Sequence, residues 1–294
     1  MHAVVFAYHD VGVNCLKALI AAGIQIDLVI THQDDPNENV WFGSVAKLCE
    51  NKKIPYITPN ANQLMDLVPQ IQKLAPDYLF SFYYRHMIPA ELLACAKIAA
   101  LNMHGSLLPK YRGRAPVNWA ILHGETETGA TLHIMKIKPD AGDIVGQSAV
   151  TIDPNETATE VFGKVSQAAV TVMNQVLPEL VQGHIPRKPN NLTQGSYFGG
   201  RKPADGEILW NQTAQQVHNL VRAVAPPYPG AFTDWQGQRR IVARTSLEGP
   251  FPGQLDLQAP GIQVVDNQVF GICGDQKVVA ILEWFPANLS LIHI

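Results

Sequence analysis

Charged side chains are scarce in this sequence of 294 residues: they make up 16%, with 22 Lys and Arg against 25 Asp and Glu, for a formal net charge of -3. No global basic field is left to draw the chain to nucleic acid, so no nucleic-acid partner is expected. Long apolar runs are missing as well. None approaches the roughly 18 residues that a membrane span needs, and the first strand-like run, residues 3–7, lacks both a basic leader and a cleavage site. These absences predict a soluble, cytoplasmic chain with no membrane span. The four cysteines, Cys15, Cys49, Cys95 and Cys273, form no Cys-x-x-Cys pair. That argues against a zinc site or a disulfide framework and leaves them as small core residues.

What is present is apolar material: 47% hydrophobic residues, enough for about two domains at roughly 150 residues each. From residue 2 to about 104, short β-rich runs at 3–8, 26–31, 55–58, 78–83 and 100–104 alternate with helical stretches. This pattern predicts an α/β domain, a parallel sheet covered by helices. Val13, Leu16, Lys17, Leu19 and Ile20 fit a helix that stops at Gly23, and further helices are expected over about 44–53 and 63–74. Strand candidates at 129–136 and 143–151 and a long helix over about 157–181 complete the domain. The stretch 184–205 is rich in Pro and Gly and reads as a linker, which sets a boundary near residue 200. After a short helix at about 213–223, turn signals at Gln236-Gly237, Asp266-Asn267 and Gly274-Asp275 suggest a small β-barrel over 201–294.

The first turn, Tyr8-His9-Asp10-Val11-Gly12, has no G-x-G-x-x-G. The pyrophosphate cradle of a dinucleotide-binding domain is therefore missing, which argues against a dehydrogenase. No nucleophile lies in a G-x-S-x-G elbow, and Ser106 in Gly105-Ser106-Leu107 lacks that frame. Asn102 and His104 are better placed, at the carboxyl end of a candidate strand, where open α/β sheets bind ligands. Two positions apart on a strand, they face one side together. An amide donor beside an imidazole suits acyl transfer, in which negative charge gathers on a carbonyl oxygen while the attacking group loses a proton. Asn102 could supply the hydrogen bond to that oxygen, and His104 could shuttle the proton or help hold the oxyanion. An imidazole in this role needs a carboxylate, and Asp140, in the loop Lys138-Pro139-Asp140-Ala141-Gly142-Asp143, could reach it.

The run Asn-x-His-Gly-Ser-Leu-Leu-Pro-x-Tyr-Arg-Gly-x-Ala-Pro at 102–116, then Gly-x-Thr at 129–131, Met135, and Asp-Ala-Gly-Asp-Ile at 140–144, resembles the folate-dependent formyltransferase family. The resemblance implies a Rossmann-like formyltransferase domain over 1–200, followed by an OB-like β-barrel, and transfer of a formyl group from 10-formyltetrahydrofolate to an amine without a metal. It makes Asn102 the transition-state stabiliser, His104 the proton donor and Asp140 its carboxylate partner. It also places the folate against His86, Met87 and Ile88, against Arg114, and along Lys136, Ile137, Lys138, Pro139 and Asp140.

Within the family, Val5-Phe6-Ala7-Tyr8-His9-Asp10, Phe80-Ser81-Phe82-Tyr83-Tyr84-Arg85-His86 and Pro229-Gly230-Ala231-Phe232 resemble the branch that formylates UDP-4-amino-4-deoxy-L-arabinose in lipid A modification. A UDP-linked amino sugar is then the expected partner, with Arg85 and Arg201 as candidates for its phosphates. The tRNA-directed branch is disfavoured because the stretch after the second strand, residues 33–39, is acidic where phosphates would need cations. Bifunctional members of the branch continue into an NAD-dependent decarboxylase domain that this chain stops before, and such a domain could carry an oligomer interface. The last residues, 289–294, resemble a translated sequencing adapter, so the expectation is a clipped barrel with a non-native tail.

Overall fold

A computed structural model describes residues 1–36 and 39–287. Asn37 and Glu38 of the acidic stretch, and the whole tail at 289–294, lie outside the described residues. The first half alternates as expected: β1 (His2–Ala7), α1 (His9–Ala21), β2 (Gln25–Ile30), α2 (Val45–Lys52), β3 (Tyr56–Ile57), a 3-10 turn leading into α3 (Val68–Leu74), β4 (Tyr78–Phe82), α4 (Ala90–Leu93) and β5 (Ala99–His104). There follow β6 (Arg112–Gly113), α5 (Pro116–Leu122), β7 (Glu127–Ile134), β8 (Ile144–Thr151), α6 (Ala158–Val181) and β9 (Tyr197–Phe198).

Seven of these strands form one sheet in the order β3-β2-β1-β4-β5-β7-β8. The first five run parallel, as the alternating pattern predicts, but β7 is antiparallel to β5 and β8 to β7, so the sheet is mixed. Strand order reverses between β1 and β4, and the crevice at such a switch point is where open α/β sheets hold ligands. One face of the sheet packs on α1 and α6, through Leu16, Leu19, Val165, Ala169 and Val172. The other carries Leu64, Ile71 and Leu92 from the α3 and α4 side. Helix α6 starts at a capping box in which the Thr157 backbone N–H donates to Glu160 at 2.7 Å. All four cysteines are buried, as expected of core residues.

The chain then forms α7 (Ala214–Val224), β10 (Ala231–Trp235), β11 (Gln238–Ser246), β12 (Gly261–Val265), β13 (Gln268–Ile272) and β14 (Val278–Pro286). These five strands make an antiparallel sheet in the order β10-β11-β14-β13-β12, a half-barrel open between β10 and β12. Helix α7 lies against β11 and α5. It is bolted to the first unit by two buried side chains. His218 bonds the Pro154 carbonyl at 3.0 Å and Thr245 at 2.8 Å, while Arg222 donates to Asn219 and to the carbonyls of Asp153 and Glu156. No helix among the described residues is long and apolar enough to cross a membrane.

Candidate active site

Strand β5 carries Asn102 and His104 to the carboxyl edge of the sheet, and the antiparallel register of β7 sets His133 directly opposite Asn102 and Thr131 opposite His104. Facing pairs of this kind bring side chains on one surface into contact. Asn102 Nδ2 lies 3.1 Å from His133 Nε2. After β7 the chain folds back through residues 135–143 and returns Asp140 to the same place, with Oδ2 3.6 Å from His104 Nδ1 and Oδ1 3.3 Å from His133 Nε2. The structure thus brings Asn102, His104 and Asp140 together and adds His133 as a fourth member.

Backbone groups hold the cluster. Asp140 has a φ of +50°, an uncommon conformation for a residue other than glycine. It is secured by the Asn190 amide, which donates to the carbonyls of Asp140 and Gly142 at 3.0 Å each. Gly142 passes so close to the Ile134 carbonyl that a side chain there would collide with it. Asp140 Oδ2 accepts the Gly113 N–H at 2.8 Å. The loop that follows His104 is tied down by Thr131, whose hydroxyl donates to the Ser106 carbonyl at 2.6 Å, and by Gln147, which donates to the Leu108 carbonyl at 2.8 Å. Ser106 is itself fully buried and donates to the Lys110 carbonyl at 2.6 Å, so it braces the loop.

The electrostatics separate the two partners. Burial holds the His104 imidazole below its ordinary pKa, against the opposing pull of Asp140 and the Tyr111 carbonyl, so His104 is neutral at pH 7. Burial would raise Asp140, but the positive charge His104 and His133 carry when protonated, together with the Gly113 N–H, outweighs it and keeps the carboxyl well below the usual range. His104 Nε2 lies 2.7 Å from the Tyr111 carbonyl. A carbonyl only accepts, so the neutral ring carries its proton on Nε2 and turns the bare Nδ1 toward Asp140.

Residues 2–177 match the family described as Formyl transferase, and residues 201–289 match Formyl transferase, C-terminal domain. The chain belongs to the formyl transferase family. Among solved structures it is similar to WlaRD, a sugar 3N-formyl transferase studied with dTDP and 5-N-formyl-THF, with TM-score 0.75 and 20% identity over 98% of each chain. It is similar also to an N-formyltransferase from Helicobacter canadensis in complex with folinic acid and dTDP-3-aminofucose, with TM-score 0.73 and 19% identity over 95% of this chain and 98% of that one. A 4-N formyltransferase from Francisella tularensis gives TM-score 0.67 and 24% identity over 82% of this chain and 96% of that one. At these identities the likeness is one of fold.

The remaining expected residues of this formyltransferase lie in the segments that follow β4, β6, β7 and β9. His86, Met87 and Ile88 follow β4, and Lys136, Ile137, Lys138 and Pro139 follow β7. Ile88 and Met135 pack on the same side of the sheet, against the α3 and α4 core, so the two segments share a face. Arg114 is exposed and adjoins Gly113, and its N–H donates to the Phe198 carbonyl at 3.0 Å. Arg85 lies over the Tyr8 ring at 4.7 Å, at the switch point. Arg201 is held otherwise, over Trp119 at 4.9 Å and donating to the Asp205 carbonyl at 2.7 Å.

Sequence reasoning passed over His133, although the alternation Gly129-x-Thr131-x-His133 put it on the same strand face as the quoted motif. It also passed over an aromatic shell on the α1 and α6 side. There His9, at φ +63°, stacks on Phe42 at 3.9 Å and meets Trp41 and Phe162 edge-on. Burial and the neighbouring Arg85 charge push His9 down to a pKa of about 3. Tyr83, at φ +57°, meets Phe162 from the end of β4. Two bulky residues in the left-handed region beside a ligand crevice mark backbone strain where sites are usually built.

Proposed function

We propose that this formyltransferase carries the formyl group of 10-formyltetrahydrofolate to the 4-amino group of UDP-4-amino-4-deoxy-L-arabinose, a step of lipid A modification associated with polymyxin resistance. The observation that carries the reading is the chain of contacts at the carboxyl edge of the sheet, none longer than 3.6 Å, that joins Asn102 through His133 to Asp140 and Asp140 to His104. The residues expected to hold the folate fit a flat heterocycle. Met87 and Ile137 are left 62% and 78% exposed in the segments that follow β4 and β7, and apolar side chains left in water suit a ring that covers them. Fold neighbours crystallised with formylated folates support the donor. The bound folate supplies a formyl group activated for transfer.

The chain's own residues then have separable tasks. Asn102 donates an N–H to the oxygen on which negative charge develops. His104 begins neutral, with bare Nδ1 toward Asp140. A proton arriving from the attacking amine on that side forms an imidazolium and carboxylate pair. Release of the proton from Nε2 to the leaving nitrogen requires exchange of the Tyr111 carbonyl bond. Asp140, kept ionised by its neighbours, stabilises the charged ring. Catalysis is assigned to residues 1–200, with 201–294 as the second unit.

Acceptor choice rests on the other side of the sheet. Arg85 and the aromatic shell suit a nucleotide-linked sugar, whose rings stack and whose phosphates take a guanidinium. The Tyr8 hydroxyl donates to Asp34 at 2.8 Å, which holds a carboxylate where tRNA phosphates would be repelled. A second reading, a different nucleotide-linked amino sugar, is favoured by the dTDP-sugar ligands of the fold neighbours. Mass spectrometry with 10-formyltetrahydrofolate and, in separate reactions, UDP-4-amino-4-deoxy-L-arabinose, a dTDP-linked 3-amino sugar and methionyl-tRNA decides among them. Formylation of the UDP sugar is expected. Formylation only of the dTDP sugar selects the second reading, and formylated methionyl-tRNA overturns both.

A further inference from the structure

His133 is only 1% exposed and touches three polar groups with two ring nitrogens. Nδ1 lies 2.9 Å from the Ile134 carbonyl. Because a carbonyl only accepts, Nδ1 carries the proton of the neutral ring and Nε2 presents a lone pair. That lone pair faces Asn102 Nδ2 at 3.1 Å and Asp140 Oδ1 at 3.3 Å. It accepts from the amide. In this neutral form it offers the carboxylate no hydrogen bond, and would do so only once protonated; meanwhile the other carboxylate oxygen takes the Gly113 N–H at 2.8 Å. A proton placed on Nε2 would reverse this: it would point at Asp140 and oppose the N–H of Asn102, and the amide would have to turn over.

We infer that His133 is a positioning residue for formyl transfer: its bare Nε2 pins the Asn102 amide with nitrogen inward, so the second N–H of the same group is left to donate to the formyl oxygen. An amide has two nearly isosteric orientations, and the wrong one would aim a carbonyl oxygen at developing negative charge. Among the described residues no other hydrogen bond sets the sense of the Asn102 side chain; the register that places His133 opposite Asn102 does. His133 need not touch the substrate to act. The inference rests on the proposed role of Asn102.

The test uses the full chain with four single variants, one double variant and one spectrum. Asn102→Ala is expected to lose about 10²- to 10³-fold in kcat, the usual cost of removing an oxyanion donor. If Asn102→Ala is as active as the parent, the proposed site itself falls. With that loss in hand, His133→Ala should lower kcat about 10- to 100-fold, with KM for both substrates within about threefold. In the Asn102→Ala background it should add less than about twofold, since the two act as one unit. His133→Gln, whose Oε1 can accept from Asn102, should restore kcat to within about threefold of the parent, whereas His133→Asn, which keeps the reach to Ile134 but not to Asn102, should resemble His133→Ala. Histidine ¹⁵N spectra of the parent protein at neutral pH should show His133 protonated on Nδ1 and bare on Nε2. Additive losses in the double variant, rescue by Asn equal to that by Gln, or an Nε2-protonated ring would each overturn the inference while leaving Asn102 in place.

Discussion

The carboxylate of Asp140 and the backbone N–H of Gly113 meet at 2.8 Å, although 27 residues separate them. Gly113 sits at φ +98°, and a side chain there would run into the Phe198 carbonyl. Gly113→Ala should therefore displace the N–H from Asp140 as well as strain the turn. We expect a loss of about 1–3 kcal/mol in a denaturant melt and at least about a tenfold fall in kcat. Normal kcat in a destabilised Gly113→Ala enzyme would show that Asp140 does not depend on this bond.

Asp140→Ala and His104→Ala should each cut turnover by roughly 10²-fold or more while leaving the fold intact. Steady-state kinetics with circular dichroism checks both halves of that statement. Near-normal turnover in either variant would remove the assigned roles.

Met87→Ser and Ile137→Ser address the donor site. Each removes an apolar side chain that the folate is expected to cover, so KM for the folate should rise about fivefold to tenfold with kcat little changed. An unchanged folate KM in both would place the donor elsewhere.

Stability should fall on acidification below pH 6.5. The folded-state pKa of His9 lies near 3, below its ordinary 6.5, and burial also lowers His104 and His218. Between the folded and unfolded values only the unfolded chain binds these protons, so stability is retained above pH 6.5 and lost as pH drops below it. Each such group contributes a slope of up to about 1.4 kcal/mol per pH unit. Asn tolerates a positive φ, so His9→Asn should flatten the slope measured by urea titrations between pH 6.5 and 5. An equal slope in the variant would remove His9 from the account.

Arg222 joins α7 to the loop before α6 while only 6% exposed. Arg222→Ala leaves Asn219 and two carbonyls without that donor and should cost about 2–4 kcal/mol. Urea midpoints measure it, and kcat per folded molecule should not change.

Much of this was legible in the chain. The strands β1 to β5 and the helix α6 follow from local periodicity, and Asn102 and His104 follow from a two-residue spacing on one strand. Strand direction is another matter. Residues 127–134 read as a strand whichever way they pair, so the antiparallel turn of β7 was invisible, and with it the pairing of His133 with Asn102. Helix α5 was missed because it enters through Ala115 at φ +49° and Pro116, and its seven residues are too few to show a period. The aromatic shell joins residues 8–9, 41–42, 83 and 162, which only the fold brings together.

The stretch from Tyr111 to Gly113 supplies the Tyr111 carbonyl to His104 and the Gly113 N–H to Asp140. The first bond favours a proton on the imidazole and the second disfavours one on the carboxylate. Three consecutive residues therefore bias the same proton in the same direction from both ends. If that stretch drew back, His104 would become a weaker base and Asp140 a stronger one at the same moment. The resting place of the transferred proton is in this sense a property of one short piece of backbone, and a shift of that backbone would change proton affinity without altering any catalytic side chain.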